Sequence, residues 1–147
     1  MQKLNKDELF TLAMQLDLQS LLSFCLCSKY IQKNLYLRDE IWIYKLKKDF
    51  PDYKKLKVEK SFKEIYKILF SLTKLKNKIK IKGNIYDLYN FKILHLSDKS
   101  LIEIPKEICY LTNLKTLYLH NKSTAIPKEI YNLPNLKIIR CINESPK

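Results

Sequence analysis

At 147 residues, 46% hydrophobic and with a net charge of +13, the chain is long enough for one ordinary domain or two small ones and too apolar to stay disordered. Its single glycine, Gly83, excludes a glycine-rich phosphate loop, and no apolar run approaches the ~20 residues needed to span a bilayer. Asp7, Glu8 and Asp17 precede the uncharged stretch 18–28, the wrong polarity for a secretory signal, so the four cysteines are expected as reduced thiols in a cytoplasmic protein.

The charge is unevenly placed. Residues 51–82 hold 11 basic and 3 acidic side chains, a net +8. Such a patch could meet phosphates or an acidic partner; the simpler reading is a solvated lysine face. The cations are 26 lysines against two arginines, Arg38 and Arg140. The bidentate fork that reads base edges is therefore scarce, and nucleic acid is not the expected partner.

Three zones follow in chain order. In residues 1–48, Leu9, Leu12, Ala13 and Leu16 recur at helical spacing, and Asp17 or Ser20 can cap a second helix through a side-chain oxygen. In that helix Leu21, Leu22, Cys25 and Leu26 cover one side, while Phe24, Cys27, Ile31 and Leu35 cover another. A helix apolar on nearly every side is expected to be buried on nearly every side, partly by a partner chain. A third short helix, in RDEIWIYKL, turns Ile41, Trp42 and Leu46 inward.

Residues 49–82 form the basic zone. Ser61 and Glu64 in SFKE make a capping box. The series Phe62, Ile65, Tyr66, Leu69 and Leu72 predicts a helix from about Phe62 to Leu75. The alternation KIKIKGN predicts a short strand with Ile79 and Ile81 on one face, before a turn at Gly83-Asn84.

Residues 83–147 repeat. NIYDLYNFKILHL, EICYLTNLKTLYL and EIYNLPNLKIIRC superimpose, with Ile85, Ile108 and Ile130 equivalent and IPKEI present twice. This periodicity predicts stacked coils, each with a short strand such as Leu94-His95-Leu96, then a proline and a short return carrying Ile108 and Leu111. Helix 62–75 and strand 79–81 are expected to cap the array's N-terminal end. His95, Tyr118 and Arg140 fall in mid-strand on one face, with His120 beside them, and form a candidate binding surface against the alternative of a solvated polar face. Cys141 is expected at a buried strand position.

Enzyme chemistry finds little support. His95 and His120 are the two histidines, and no serine or cysteine has an evident base and orienter. Cys25 and Cys27, two apart on a helix, diverge and cannot grip one ion. The expectation is a non-enzyme with no catalytic residues, no metal site and no cofactor.

The third zone resembles leucine-rich repeats of the LxxLxLxxNxLxxIPxxI type. Phe91, Leu94, Leu96, Leu101, Ile104, Pro105, Ile108 and Leu111 fall on pattern positions. Lys99 replaces the pattern Asn in the first full unit; the second is one residue short, with Asn121 early and Thr124 near the missing Leu, which predicts an irregular turn. The first zone resembles an F-box. Leu4-Asn5 falls on its LP, Leu12 on the central aliphatic, Leu16 on the end of the first helix, Ser20-Leu21-Leu22 on DLL, Leu26-Cys27-Ser28-Lys29 on LVCK, and Trp42 on the late Trp. Asn5, Ser20 and Ile31 depart from the pattern's Pro, Asp and first Trp. The KDFPDYKK segment and the Lys/Ile/Asn/Tyr bias are similar to F-box proteins encoded by large DNA viruses of amoebae.

The resemblance implies an α+β chain of three parts: an F-box-like three-helix module (1–48), a basic linker with a capping helix and short strand (49–82), and about two and a half leucine-rich repeats with a small parallel sheet (83–147). It implies a substrate-recognition adaptor of an SCF-type (cullin–RING) ubiquitin ligase, acting in the cytoplasm, or the host cytoplasm if viral. Leu4, Asn5, Leu12, Leu16, Leu21 and Leu22 would form or support the contact with a Skp-type adaptor. His95, Tyr118, His120 and Arg140 would face a target protein. A repeat-based protein-binding module with a non-functional F-box, and a basic nucleic-acid-binding protein, are the alternatives.

Overall fold

Side-chain caps open every described α-helix but the one that starts at Asp39. A computed structural model describes residues 3–98, 101–120 and 124–142. The fold is α+β, mostly helical, with one three-stranded parallel sheet. It divides into two units, Met1–Lys67 and Ile68–Lys147.

In the first unit, helix α1 (Lys6–Gln15) opens on a reciprocal box. The Glu8 amide donates to the Asn5 side chain at 2.9 Å, and the Asn5 amide donates to the Glu8 carboxylate at 2.8 Å. Helix α2 (Leu18–Leu26) is capped by Asp17, which accepts from the Ser20 amide at 2.8 Å; that bond holds the Asp17 carboxyl below its usual range. The second helix expected to carry on to Leu35 is instead broken. Ser28 is extended, and its hydroxyl accepts from the Ile31 amide at 3.1 Å to start α3 (Lys29–Ile31). A serine that caps its own downstream amide competes with continuation of the helix upstream. A π-helical turn (Gln32–Tyr36) follows, in which the Leu37 amide reaches the Gln32 carbonyl, five residues back, at 3.2 Å. Within the chain itself the burial of α2 is one-sided: Leu26 is 81% exposed and Cys27 is exposed, while Cys25 on the opposite side is in the core.

Helix α4 (Asp39–Asp49) packs against α1 and the π-turn, as α2 does against α3 and that turn. It turns Ile41, Trp42 and Leu46 into the core as expected. The Trp42 indole donates to the Tyr36 carbonyl at 3.0 Å, with its ring edge-on to Tyr36 and tilted against Tyr66 at centroid distances of 5.9 and 5.7 Å. Lys45, 2% exposed, donates to the Leu16 carbonyl at the end of α1. Burial holds its ammonium pKa below the usual lysine value.

Helix α5 (Phe62–Ile79) begins with the expected box, the Ser61 amide donating to Glu64 at 3.0 Å and the Glu64 amide to the Ser61 hydroxyl at 3.3 Å. In the first unit, its Tyr66 hydroxyl donates to Asp49 at 2.5 Å. Burial, together with this bond to a carboxylate, pushes the phenol's pKa well above its usual range. Below pH 10 the phenol is protonated in both folded and unfolded chains, and the bond's contribution is complete. Above that, the unfolded phenol ionises first, so stability falls as the pH rises. Tyr66→Phe should cost about 1.5 kcal/mol at neutral pH and flatten the alkaline loss in urea titrations. An unchanged alkaline slope would place the titrating group elsewhere.

In the second unit, α5 continues past its expected end. Ile68, Leu69, Leu72, Leu75 and Ile79 are all buried and extend one 3.6-residue series. The strand expected at 79–81 is therefore absent. Ile79 belongs to the helix, which stops where Lys80 turns left-handed (φ 54°), and residues 79–81 form no strand. After Gly83 (φ 106°), Asn84 caps the short helix α6 (Ile85–Tyr89) by accepting from the Asp87 amide at 2.8 Å.

Strands β1 (Ile93–Leu96), β2 (Thr116–Leu119) and β3 (Ile138–Cys141) form the parallel sheet in that order. Between them, Pro105 and Pro127 lead into 3-10 turns at Lys106–Tyr110 and Lys128–Asn132. Leu94, Leu96, Leu117 and Leu119 are buried on one side of the sheet, and Ile104, Ile108 and Leu111 are fully buried in the first return. Successive units are also tied by side chains. Asn113 donates to the Tyr89 carbonyl at 3.2 Å, and Asn135 donates to the Thr112 carbonyl at 2.8 Å. Thr124 is buried and donates to the Leu101 carbonyl at 2.9 Å. Lys99 and Asn121 lie outside the described residues. Cys141 is exposed rather than buried, at the end of the edge strand β3, which pairs with β2 and with no further strand among the described residues.

Candidate protein-interaction surfaces

The first unit leaves apolar side chains in water on α2 and α3. Leu22 is half-buried and Leu26 is one turn further on the same side of α2. Tyr30 of α3 is exposed, and its hydroxyl donates to the Leu4 carbonyl at 3.3 Å, tying the segment before α1 to α3. Leu4 itself is 42% exposed. Leu12, 38% exposed, lines an open groove of about 410 Å³ along α1 with Asn5, Glu8 and Thr11.

The other residues singled out in the sequence have local roles. Asn5 is exposed and caps α1. Leu16 is half-buried, with its carbonyl held by Lys45. Leu21 is 1% exposed and belongs to the core. Sequence reasoning left Leu26 and Tyr30 out of the candidate face. The signal for Leu26 is its four-residue spacing from Leu22; for Tyr30 nothing in the sequence distinguishes it from the chain's other tyrosines.

On the sheet, strand alternation leaves Ile93 and His95 exposed while Leu94 and Leu96 are buried. His95, Tyr118 and Arg140 are in register across the three strands. The rings of His95 and Tyr118 stack at 4.6 Å with an interplanar angle of 16°. His120 follows Leu119 and donates its amide to the Leu96 carbonyl at 3.3 Å. All four predicted target-facing residues are thus placed on or beside one sheet face. Missed were Lys92, Lys115 and Lys137, which share the repeat position just ahead of the strands; the recurring F/L-K pair in the repeats was the signal.

Several lysines of the basic zone are locally engaged. Lys55 meets Asp52 at 2.9 Å, and Lys67 donates to the Tyr36 hydroxyl at 3.1 Å. Lys78 meets Glu107 at 2.9 Å. Burial opposes ionisation of Glu107, but the Lys78 bond, a backbone amide and the charges of Lys78 and Lys106 together outweigh it and hold the carboxyl below its usual range. Burial also pushes the Cys25 and Cys109 thiols up, away from thiolate character. Among the described residues no group of three or more His, Cys, Asp or Glu side chains is placed to hold a metal, and no helix is long and apolar enough to cross a membrane. Compared with family models, curated proteins and solved structures, the chain matches none.

Proposed function

We propose that the chain is a non-enzymatic substrate adaptor of an SCF-type ubiquitin ligase, acting in the cytoplasm. Its first unit is read as an F-box that docks on a Skp-type adaptor. Its parallel strands, offset by 23 and 22 residues, are read as leucine-rich repeats that hold a target protein. The observation that carries the reading is the uncovered apolar face of α2, with Leu26 almost fully in water beside Leu22. A small helical unit gains nothing in its own stability from such a face, whereas burying a leucine against a partner contributes about 1.5–3 kcal/mol. The face lies on the segment that resembles the F-box docking helix, and Leu21, beside it in sequence, holds that helix to the core.

A pull-down with a purified Skp-type adaptor tests the reading. The parent chain should be retained. Leu26→Asp, which removes an exposed side chain and so leaves folding within about 0.5 kcal/mol, should weaken retention about tenfold, and Leu22→Asp/Leu26→Asp should abolish it. Circular dichroism of both variants keeps unfolding separate from lost docking. No retention of the parent chain overturns the adaptor function; undiminished retention of Leu26→Asp overturns the docking face.

A further inference from the structure

The repeats segregate charge. Stretches 90–97, 112–120 and 133–142, which contain the strands, hold three lysines, one arginine and two histidines, and no aspartate or glutamate. The acids nearby in the described chain, Asp87, Asp98, Glu103, Glu107 and Glu129, stand outside the strands; Asp87 is bonded to Asn84, and Asp98 and Glu107 are engaged by Lys80 and Lys78. Lys92, Lys115 and Lys137 are all exposed and immediately precede Ile93, Thr116 and Ile138. The backbone holds them in step. The Lys115 and Thr116 amides both donate to the Lys92 carbonyl, at 2.8 and 3.0 Å, and the Lys137 and Ile138 amides both donate to the Lys115 carbonyl, at 2.9 and 3.2 Å.

Neighbouring strands lie about 4.8 Å apart, so the three lysines form a ladder of that spacing. One turn of an α-helix advances about 5.4 Å, close to the ladder. Same-side residues of an extended chain are about 6.7 Å apart, a poorer match. The lysines line the edge of the sheet where the strands begin; next along the strands come Ile93, Thr116 and Ile138, and then the stacked His95–Tyr118 pair with Arg140 in register. Two isoleucines flanking a threonine, next to a cationic edge, suit an amphipathic helix with an acidic edge. They suit a phosphate chain less well, because the isoleucines would stay wet and one arginine offers a single bidentate fork.

We propose that this sheet face docks an acidic helical segment of a partner protein, with carboxylates on successive turns meeting Lys92, Lys115 and Lys137. The proposal rests on the adaptor reading's assignment of the sheet as the target face and names the chemistry of that target. It does not depend on docking by the first unit.

Fluorescence anisotropy on the full chain tests it with three labelled probes. One is an alanine-rich peptide of about 16 residues, long enough to hold a helix, with glutamates on successive turns at spacings i, i+4 and i+7 and leucines flanking them. The second has the same composition with the glutamates out of phase, and the third is an oligothymidylate. The in-phase peptide should bind about fivefold more tightly than the out-of-phase peptide. Lys92→Gln/Lys115→Gln/Lys137→Gln should weaken it about tenfold, and the control Lys29→Gln/Lys33→Gln/Lys47→Gln, which removes the same charge, should leave it within about twofold. Equal binding of both peptides, an unaffected ladder variant, a control variant that loses as much, or no peptide binding overturns the proposal. So does an oligothymidylate held as tightly through the same lysines, which would make the face a phosphate site. If the peptides fail while a Skp-type adaptor still retains the chain, the target chemistry alone is wrong. If that adaptor fails to bind while the in-phase peptide binds, the adaptor function is wrong and the face stands.

Discussion

A Trp42→Ala chain should be about 3–5 kcal/mol less stable than the parent. Marginal domains hold only about 5–15 kcal/mol in all, so the first unit would lose much of its order. Trp42 is among the largest fully buried side chains, and its removal takes three things together. It empties a large volume between α4 and the π-turn, it ends the edge-on contact with Tyr36 and the tilted contact with Tyr66, and it leaves the Tyr36 carbonyl without its indole donor. Trp42→Phe separates these effects by keeping an apolar ring while losing the donor, and should fall about midway. Because Trp42 is the only tryptophan, urea titrations should be followed by far-ultraviolet circular dichroism. A loss below about 1 kcal/mol for the alanine variant would mean that the aromatic cluster is not the centre of this unit's core.

The second large effect is expected in the sheet. Leu117 lies on the central strand, flanked in register by Leu94 and Ile139, and is fully buried. Leu117→Ala should cost about 3–5 kcal/mol, because strands paired on both sides leave little freedom to collapse around the cavity. Ile139→Ala, at the equivalent position of the edge strand and only half-buried, should cost about 1 kcal/mol. Hydrogen exchange reads this directly, as the amides of β1 to β3 should lose protection together in Leu117→Ala. Retained protection in β1 and β3 would show that the strands do not open as one element.

Much of this architecture was legible where one residue type has one local use. Ser61 with Glu64, and Asp17 ahead of a leucine run, announce helix starts because few other conformations satisfy those donors. Trp42 with Ile41 and Leu46 on one side of a short helix admits little but burial. The repeats placed all three strands, and with them His95, Tyr118 and Arg140 in one row.

Misreadings came where two periods share residues. Ile79 and Ile81 alternate like a strand, yet Ile79 also completes the series Ile65, Ile68, Leu72, Leu75, and the longer pattern prevailed. The break after Leu26 has neither proline nor glycine to mark it; a serine hydroxyl suffices, and Leu26 and Cys27 become exposed as a result. Asn5 and Glu8 also have the spacing of a capping box, a local use that the sequence pattern carries alongside any contact. Leu21 and Leu22 are adjacent, and only the packing of α2 decides which one is core and which reaches the surface.

The π-turn at Gln32–Tyr36 bears on which changes of length this chain tolerates. Such a turn holds one residue more than an α-turn, so losing one residue between Gln32 and Leu35 would leave an ordinary helix. Everything beyond it, however, would rotate by about 100°. The Tyr36 carbonyl would swing from the Trp42 indole and the Tyr36 hydroxyl from Lys67. Local helix geometry favours the deletion and tertiary packing forbids it. Because the indole and the lysine both depend on the extra residue, the register of the whole unit is locked to this length, and a one-residue deletion here is closed to the chain.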